Sequence, residues 1–228
     1  MSGALFDSVA LNGIELGRVE ALIHEELAGR KQWLKPSRIL SLTQTDGPVE
    51  RVMDFILAYE QNPLALVSGP LGTYETHYRV VLGKDQPYFT VQCLSVTNTD
   101  KVEWTLKSFF HYVTSTLGGS PQDDELPLKG VPNYYGMSSL WFDASVGAGF
   151  GAIPPPGMKA YFWKDEQGTQ HPDLYREVNV VLKPGQTWTA EDPPAVVFGV
   201  QGTLTDRPWN RVADSIEAEQ KINVKWWP

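Results

Sequence analysis

TYETHYRVVLGKDQPYFTVQCLSVTNTDKVEWTLKSFFHYV, residues Thr73–Val113, reads as three long antiparallel strands in a meander. The first runs Thr73–Leu82 and ends at Gly83-Lys84-Asp85-Gln86-Pro87. The second runs Tyr88–Asn98 and ends at Asn98-Thr99-Asp100-Lys101; the third runs Val102–Val113. All three are rich in Tyr, Phe, Trp, Val and Thr, which pack well on a pleated surface. Pairing Leu82 with Tyr88 and Asn98 with Lys101 divides the side chains between two faces with period two. One face carries Val81, Phe89, Val91, Cys93, Val102, Trp104, Leu106 and Phe110, a core face. The other carries Tyr78, Val80, Tyr88, Thr90, Gln92, Lys107, Phe109 and His111, which suits either the floor of a polar cleft or a half-solvated sheet. A slip of one residue would exchange the two faces.

Outward from this stretch the chain keeps a strand-and-turn rhythm. Asn12-Gly13 lies between short apolar runs, a strong two-residue hairpin signal. Arg18–Gly29 fits both helical and strand spacing, and Val49–Tyr59 leans to strand. After the meander, residues 118–132 (GGSPQDDELPLKGVP) form a long loop rich in Gly and Pro. Strands are expected at 139–145, 158–164, 174–182 and 193–200, and a helix at Val212–Gln220. Gly147-Ala148-Gly149-Phe150-Gly151 has the wrong spacing for a dinucleotide-binding turn and runs into three prolines, so it reads as a tight β-turn. The expectation is an all-β, antiparallel sandwich over residues 1–228 as a single domain with a few short helices.

Composition excludes several classes. Net charge is −8, with no basic run, which argues against nucleic acid or an anionic membrane surface as partner. The single Cys93 rules out an internal disulfide, and four scattered His show no metal spacing. No cofactor motif is present. No apolar run has the length of a membrane span. The start, Met1-Ser2-Gly3-Ala4, lacks the parts of a signal peptide. As it stands the chain reads as cytoplasmic, or as secreted or periplasmic after removal of a leader; oligomeric state is open.

Asp46-Gly47-Pro48-Val49, Tyr78-Arg79-Val80-Val81-Leu82, Tyr88-Phe89-Thr90-Val91, Val96-Thr97-Asn98-Thr99 and the turn Leu182-Lys183-Pro184-Gly185 together resemble the galactose-mutarotase-like β-supersandwich. The likeness covers roughly residues 30–200. It implies a carbohydrate ligand, since the fold hosts aldose epimerases, polysaccharide lyases and some glycoside hydrolases. The sequence around His77 and His111 lacks the epimerase histidine signature. The first half, with Trp33 ahead of the Gly47-Pro48 turn, is more similar to the sandwich domain of rhamnogalacturonan-type lyases.

Lyase chemistry on a uronic acid needs a cation to neutralise the carboxylate and a base to take the adjacent proton. His111, Lys107 and Tyr78 on the mixed face are the candidates for catalysis. Lys107 and His111 are four residues apart, roughly 13 Å along a strand. Tyr88 and Gln92 on the same face, with Tyr134, Tyr135 and Trp141 beside the long loop, are candidates for sugar binding through aromatic stacking and hydrogen bonds. The alternative is a non-catalytic sugar-binding or structural sandwich.

Overall fold

The computed structural model describes residues 4–27, 30–60, 72–117, 134–135, 139–155, 157–164, 170–203 and 205–220. Their period-two patterning produces strands throughout: β1 (Ala4–Leu11), β2 (Ile14–Leu27), β3 (Arg30–Leu34), β4 (Arg38–Asp46) and β5 (Glu50–Tyr59). The meander region gives β6 (Tyr74–Gly83), β7 (Tyr88–Asn98) and β8 (Trp104–Ser115). Then follow β9 (Tyr134–Tyr135), β10 (Ser139–Asp143), β11 (Ala148–Ile153), β12 (Lys159–Lys164), β13 (Gln170–Leu182), β14 (Thr187–Thr189) and β15 (Ala195–Gln201). One helix, α1 (Pro208–Gln220), ends the described chain, with Pro at its first position where no backbone N–H is needed.

The strands form two antiparallel sheets. A seven-stranded sheet runs β1-β2-β8-β13-β12-β9, with β3 also on β2. An eight-stranded sheet runs β10-β11-β15-β7-β6-β5-β4, with β14 also on β7. Between them lies one apolar interior, built from Val19, Ala21 and Ile23 of β2, Leu106 and Phe109 of β8, and Phe55, Tyr78, Val80, Val91 and Phe150 of the facing sheet. The protein is an all-β sandwich. Asn12 and Gly13 both have positive φ, 50° and 83°, the signature of the tight turn that joins β1 to β2. A second apolar cluster, with Tyr88, Phe142, Phe198 and Trp209, lies where α1 covers the other face of β10, β11 and β15. The glycine-rich stretch opens β11: a Cβ on Gly149 would stand 2.8 Å from both Phe142 and Val200, so only glycine fits there.

Two expectations about the meander are corrected. The third strand does not pair with the second: β8 crosses to the seven-stranded sheet, between β2 and β13. The cause is Asn98. Its side-chain Nδ2 donates to the carbonyls of Val102 at 2.8 Å and Leu182 at 2.7 Å, and its Oδ1 accepts from the Asp100 N–H at 2.9 Å. Asp100 in turn accepts from the Trp104 indole at 3.0 Å. A buried amide with these partners is costly to leave unsatisfied, so the segment after Asn98 becomes a corner tied to the end of β13.

The register of β6 on β7 also differs by one residue. Leu82 pairs with Phe89 and Val80 with Val91, with a bulge at Leu94 between the pairs His77–Ser95 and Tyr78–Cys93. Tyr78, Val80 and Leu82 therefore join Phe89, Val91 and Cys93 on the inner face, while His77, Arg79 and Val81 turn outward with Thr90 and Gln92. Burial decides it: this slip puts apolar side chains from both strands between the sheets.

Candidate functional site

The sequence-predicted residues fall in five places. Tyr78 is fully buried between the sheets, and burial raises its phenol well above the usual range. Tyr88 is buried beneath the α1 cluster and lines an apolar cavity of about 300 Å³ with Phe6, Val9, Leu16, Leu82 and Phe89. Gln92 faces outward from the eight-stranded sheet and donates to the Asp192 carbonyl at 2.6 Å. Trp141, on β10 opposite Phe150, is buried, and its indole nitrogen has no hydrogen-bond partner among the described residues.

The remaining four share the seven-stranded sheet. Lys107 and His111 stand on β8, Tyr134 and Tyr135 on β9, and β13 and β12 intervene. Three interstrand steps put β8 and β9 about 14 Å apart. His111 pairs through its backbone with Ala21 and Leu174, and Tyr134 and Tyr135 with Ala160 and Lys159. The side chains of His111, Tyr134 and Tyr135 lie outside the described residues, as does the loop at 118–132.

The outer face of this sheet carries the densest grouping of acid–base chemistry around Lys107. The ladder breaks on both sides of that residue. On the β2 side the shift falls between His24 and Glu25; on the β13 side it falls between Glu177 and Val180, where Asn179 takes a positive φ of 53°. Leu106 and Phe109, three residues apart, consequently both enter the interior. In an unbroken strand they would point to opposite faces. The bulge frees Lys107 and Ser108 to project outward together, the re-aiming of side chains that bulges provide beside functional sites.

Each of the two meets a partner from β2. Ser108 Oγ lies 3.3 Å from His24 Nδ1, and Lys107 Nζ lies 3.0 Å from Glu26 Oε2. The Lys107 and Glu26 side chains are 29% and 26% exposed, so the pair is half sheltered while still open to a ligand. Farther along β2, Glu20 is 5% exposed in its side chain, with Arg18 Nε and Lys35 Nζ each 3.7 Å from one of its oxygens. Imidazole, carboxylate and ammonium thus share one strand pair, with the Ser108 hydroxyl buried beside the imidazole. They supply donors and acceptors for sugar hydroxyls and groups able to carry a proton.

His24 and Glu26 were not singled out by the sequence reading because Arg18–Gly29 fitted two periods. The strand signal was present: Arg18, Glu20, His24 and Glu26 occupy even positions, and Val19, Ala21 and Ile23 the odd ones. Glu25 and Leu22 blur it. Glu25 is buried on the inner side, accepting from the Gly72 N–H at 3.0 Å with the Tyr74 hydroxyl beside it. Desolvation raises its carboxyl above the usual value, against the lowering by those two neighbours.

The eight-stranded sheet presents another polar group on its outer face. Asp54 of β5 accepts from Arg79 Nε at 3.0 Å and Arg79 Nη2 at 3.2 Å, and lies 3.0 Å from His77 Nε2. The hydrogen bond from Arg79 is the main cause holding Asp54 below the usual carboxylate range. Among the described residues no group of three His, Cys, Asp or Glu stands together as a metal site, and no helix is long and apolar enough to cross a membrane. Comparison with protein-family models, with curated proteins and with solved structures finds no match to this chain.

Proposed function

We propose that the protein binds a carbohydrate on the outer face of its seven-stranded sheet, as a sandwich of the galactose-mutarotase-like kind. The observation that carries this is the pairing of His24 with Ser108 and Glu26 with Lys107 at a double break in the ladder. A purely structural strand has no need of a bulge that turns two consecutive polar residues outward. At the break itself Lys107 is answered by Glu26, while farther along β2 Arg18 and Lys35 share the one carboxylate of Glu20. With Lys107 already paired, the break favours a neutral sugar, bound through its hydroxyls, over a uronate. Epimerase turnover is the finer reading for a neutral sugar, with His24 and Glu26 as the proton-handling groups; lyase turnover would require a uronate instead.

The test is calorimetric titration with neutral and uronic oligosaccharides, repeated on His24→Ala and Lys107→Met. Binding of a neutral oligosaccharide that both variants weaken supports the proposal; no sugar binding, or binding that both variants retain, refutes it. A second reading, a binding module without turnover, is favoured by the burial of Tyr78, which removes it from any outer site. Release of an unsaturated or epimerised sugar would overturn that second reading.

A further inference from the structure

Among the described residues β4 is an edge strand of the eight-stranded sheet, and all nine of its residues are exposed. Edge strands present unpaired backbone donors and acceptors, and proteins ordinarily blunt them with charges, prolines or bulges. At the edge of the other sheet, β1 follows that rule. It has three register shifts against β2 and an Asp near its middle, Asp7. By contrast β4 has one shift, at Leu40, no proline, and no charge between its terminal Arg38 and Asp46. Its uncharged span exposes Ile39 at 49%, Leu40 at 40% and Leu42 at 53%.

We propose that β4 is a self-pairing edge, through which two copies of this chain join antiparallel about a two-fold axis at Leu42. The symmetry of its charges selects this partner. With Leu42 facing itself, Arg38 of one copy stands opposite Asp46 of the other, and Leu40 faces Gln44, at both ends of a self-complementary strand. Each terminal charge already holds a partner of opposite sign, Arg38 with Glu60 and Asp46 with Arg51. Pairing therefore builds an alternating row of four charges at each end, Glu60–Arg38–Asp46–Arg51. A parallel pairing in register would set Arg38 against Arg38 and lose this. The two eight-stranded sheets become continuous, and the interface is isologous, as closed dimers require.

Sedimentation velocity over a range of concentrations tests this on the full chain, with circular dichroism as the check of folding. Wild type is expected to pass from one to two copies with rising concentration. Leu42→Lys places like charges on the axis and should hold the protein as a monomer with an unchanged spectrum. Arg38→Asp should weaken the dimer at least tenfold, and Arg38→Asp with Asp46→Arg should restore it. Independently, Leu42→Cys should cross-link to itself on mild oxidation, since directly opposed residues have their Cβ atoms about 4.5–5.5 Å apart, whereas Val102→Cys should not. A wild type that stays monomeric at all concentrations, or a dimer indifferent to Leu42→Lys and uncrosslinked by Leu42→Cys, overturns the proposal.

Discussion

The outer faces of the two sheets hold polar groups of similar composition, a His, an acid and a base apiece, but they are built differently. On the eight-stranded sheet Asp54 stands directly opposite Arg79 in an unbroken β5–β6 ladder, with His77 two residues along. Regular register suffices to bring them together, and the Arg79 side chain is 46% exposed. Ion pairs of that kind contribute little and weaken with salt. On the seven-stranded sheet Lys107 and Ser108 face outward together only because the ladder breaks on both sides of them. A break of regular hydrogen bonding costs stability, and it is kept where it sets the direction of side chains. Similar residues thus form a surface ladder in one sheet and a candidate site in the other.

Deleting Lys107 should have the largest effect on this contrast. Removing the bulged residue leaves Leu106 and Phe109 two positions apart and both still inward, so circular dichroism should show the fold kept while calorimetry shows sugar binding lost. Lys107→Ala keeps the chain length and should stay within about 1 kcal/mol of wild type. Next is Tyr78, which an outer site cannot use. Tyr78→Ala should cost about 3–5 kcal/mol by urea unfolding, as large-to-small changes in a packed interior do. Tyr78→Phe should leave sugar binding unchanged. The neighbouring Cys93, whose thiol burial pushes up to about 12, should be labelled by a maleimide only on unfolding.

On binding itself, His24→Ala should weaken sugar affinity about tenfold, equivalent to about 1.4 kcal/mol. Arg79→Ala on the opposite face should leave it within about twofold; the reverse result would move the site to the eight-stranded sheet. The smallest effects are in pH dependence, and they have opposite signs. Glu25 has a raised folded value, so the native state holds its proton more tightly than the unfolded chain does. Stability should fall as pH rises from the ordinary carboxylate value, about 4.3, towards the folded value, and Glu25→Gln should abolish that decline. Asp54 has a lowered folded value. Its contribution, at most about 1 kcal/mol and screened by salt, should be present above about pH 4 and vanish as pH falls through the folded value. Asp54→Asn should remove it.

Much of the local structure was legible. The bounds of β7, the Asn12-Gly13 turn, the burial of Cys93 and the helix near the end of the described chain all follow from spacing and turn chemistry. The site was legible only in part. Lys107 stood out as a base among aromatics, yet its partners were hidden in a segment whose polar positions, Arg18, Glu20, His24 and Glu26, alternate correctly but are interrupted by the buried Leu22 and Glu25. Tyr78 is hidden by the one-residue difference in register, since alternation with Leu82 opposite Tyr88 turns it to the outer face.

The sequence by itself determined which residues are extended and where the chain turns, because period-two alternation and turn residues act over a few positions. It determined the all-β class for the same reason. Tertiary structure alone decided which sheet β8 joins and which face Tyr78 and Phe109 occupy. The first rests on the hydrogen bond from Asn98 to Leu182, 84 residues away. The second rests on bulges at Leu94 and Lys107, where a single extra residue leaves composition unchanged and sends every later side chain to the opposite side.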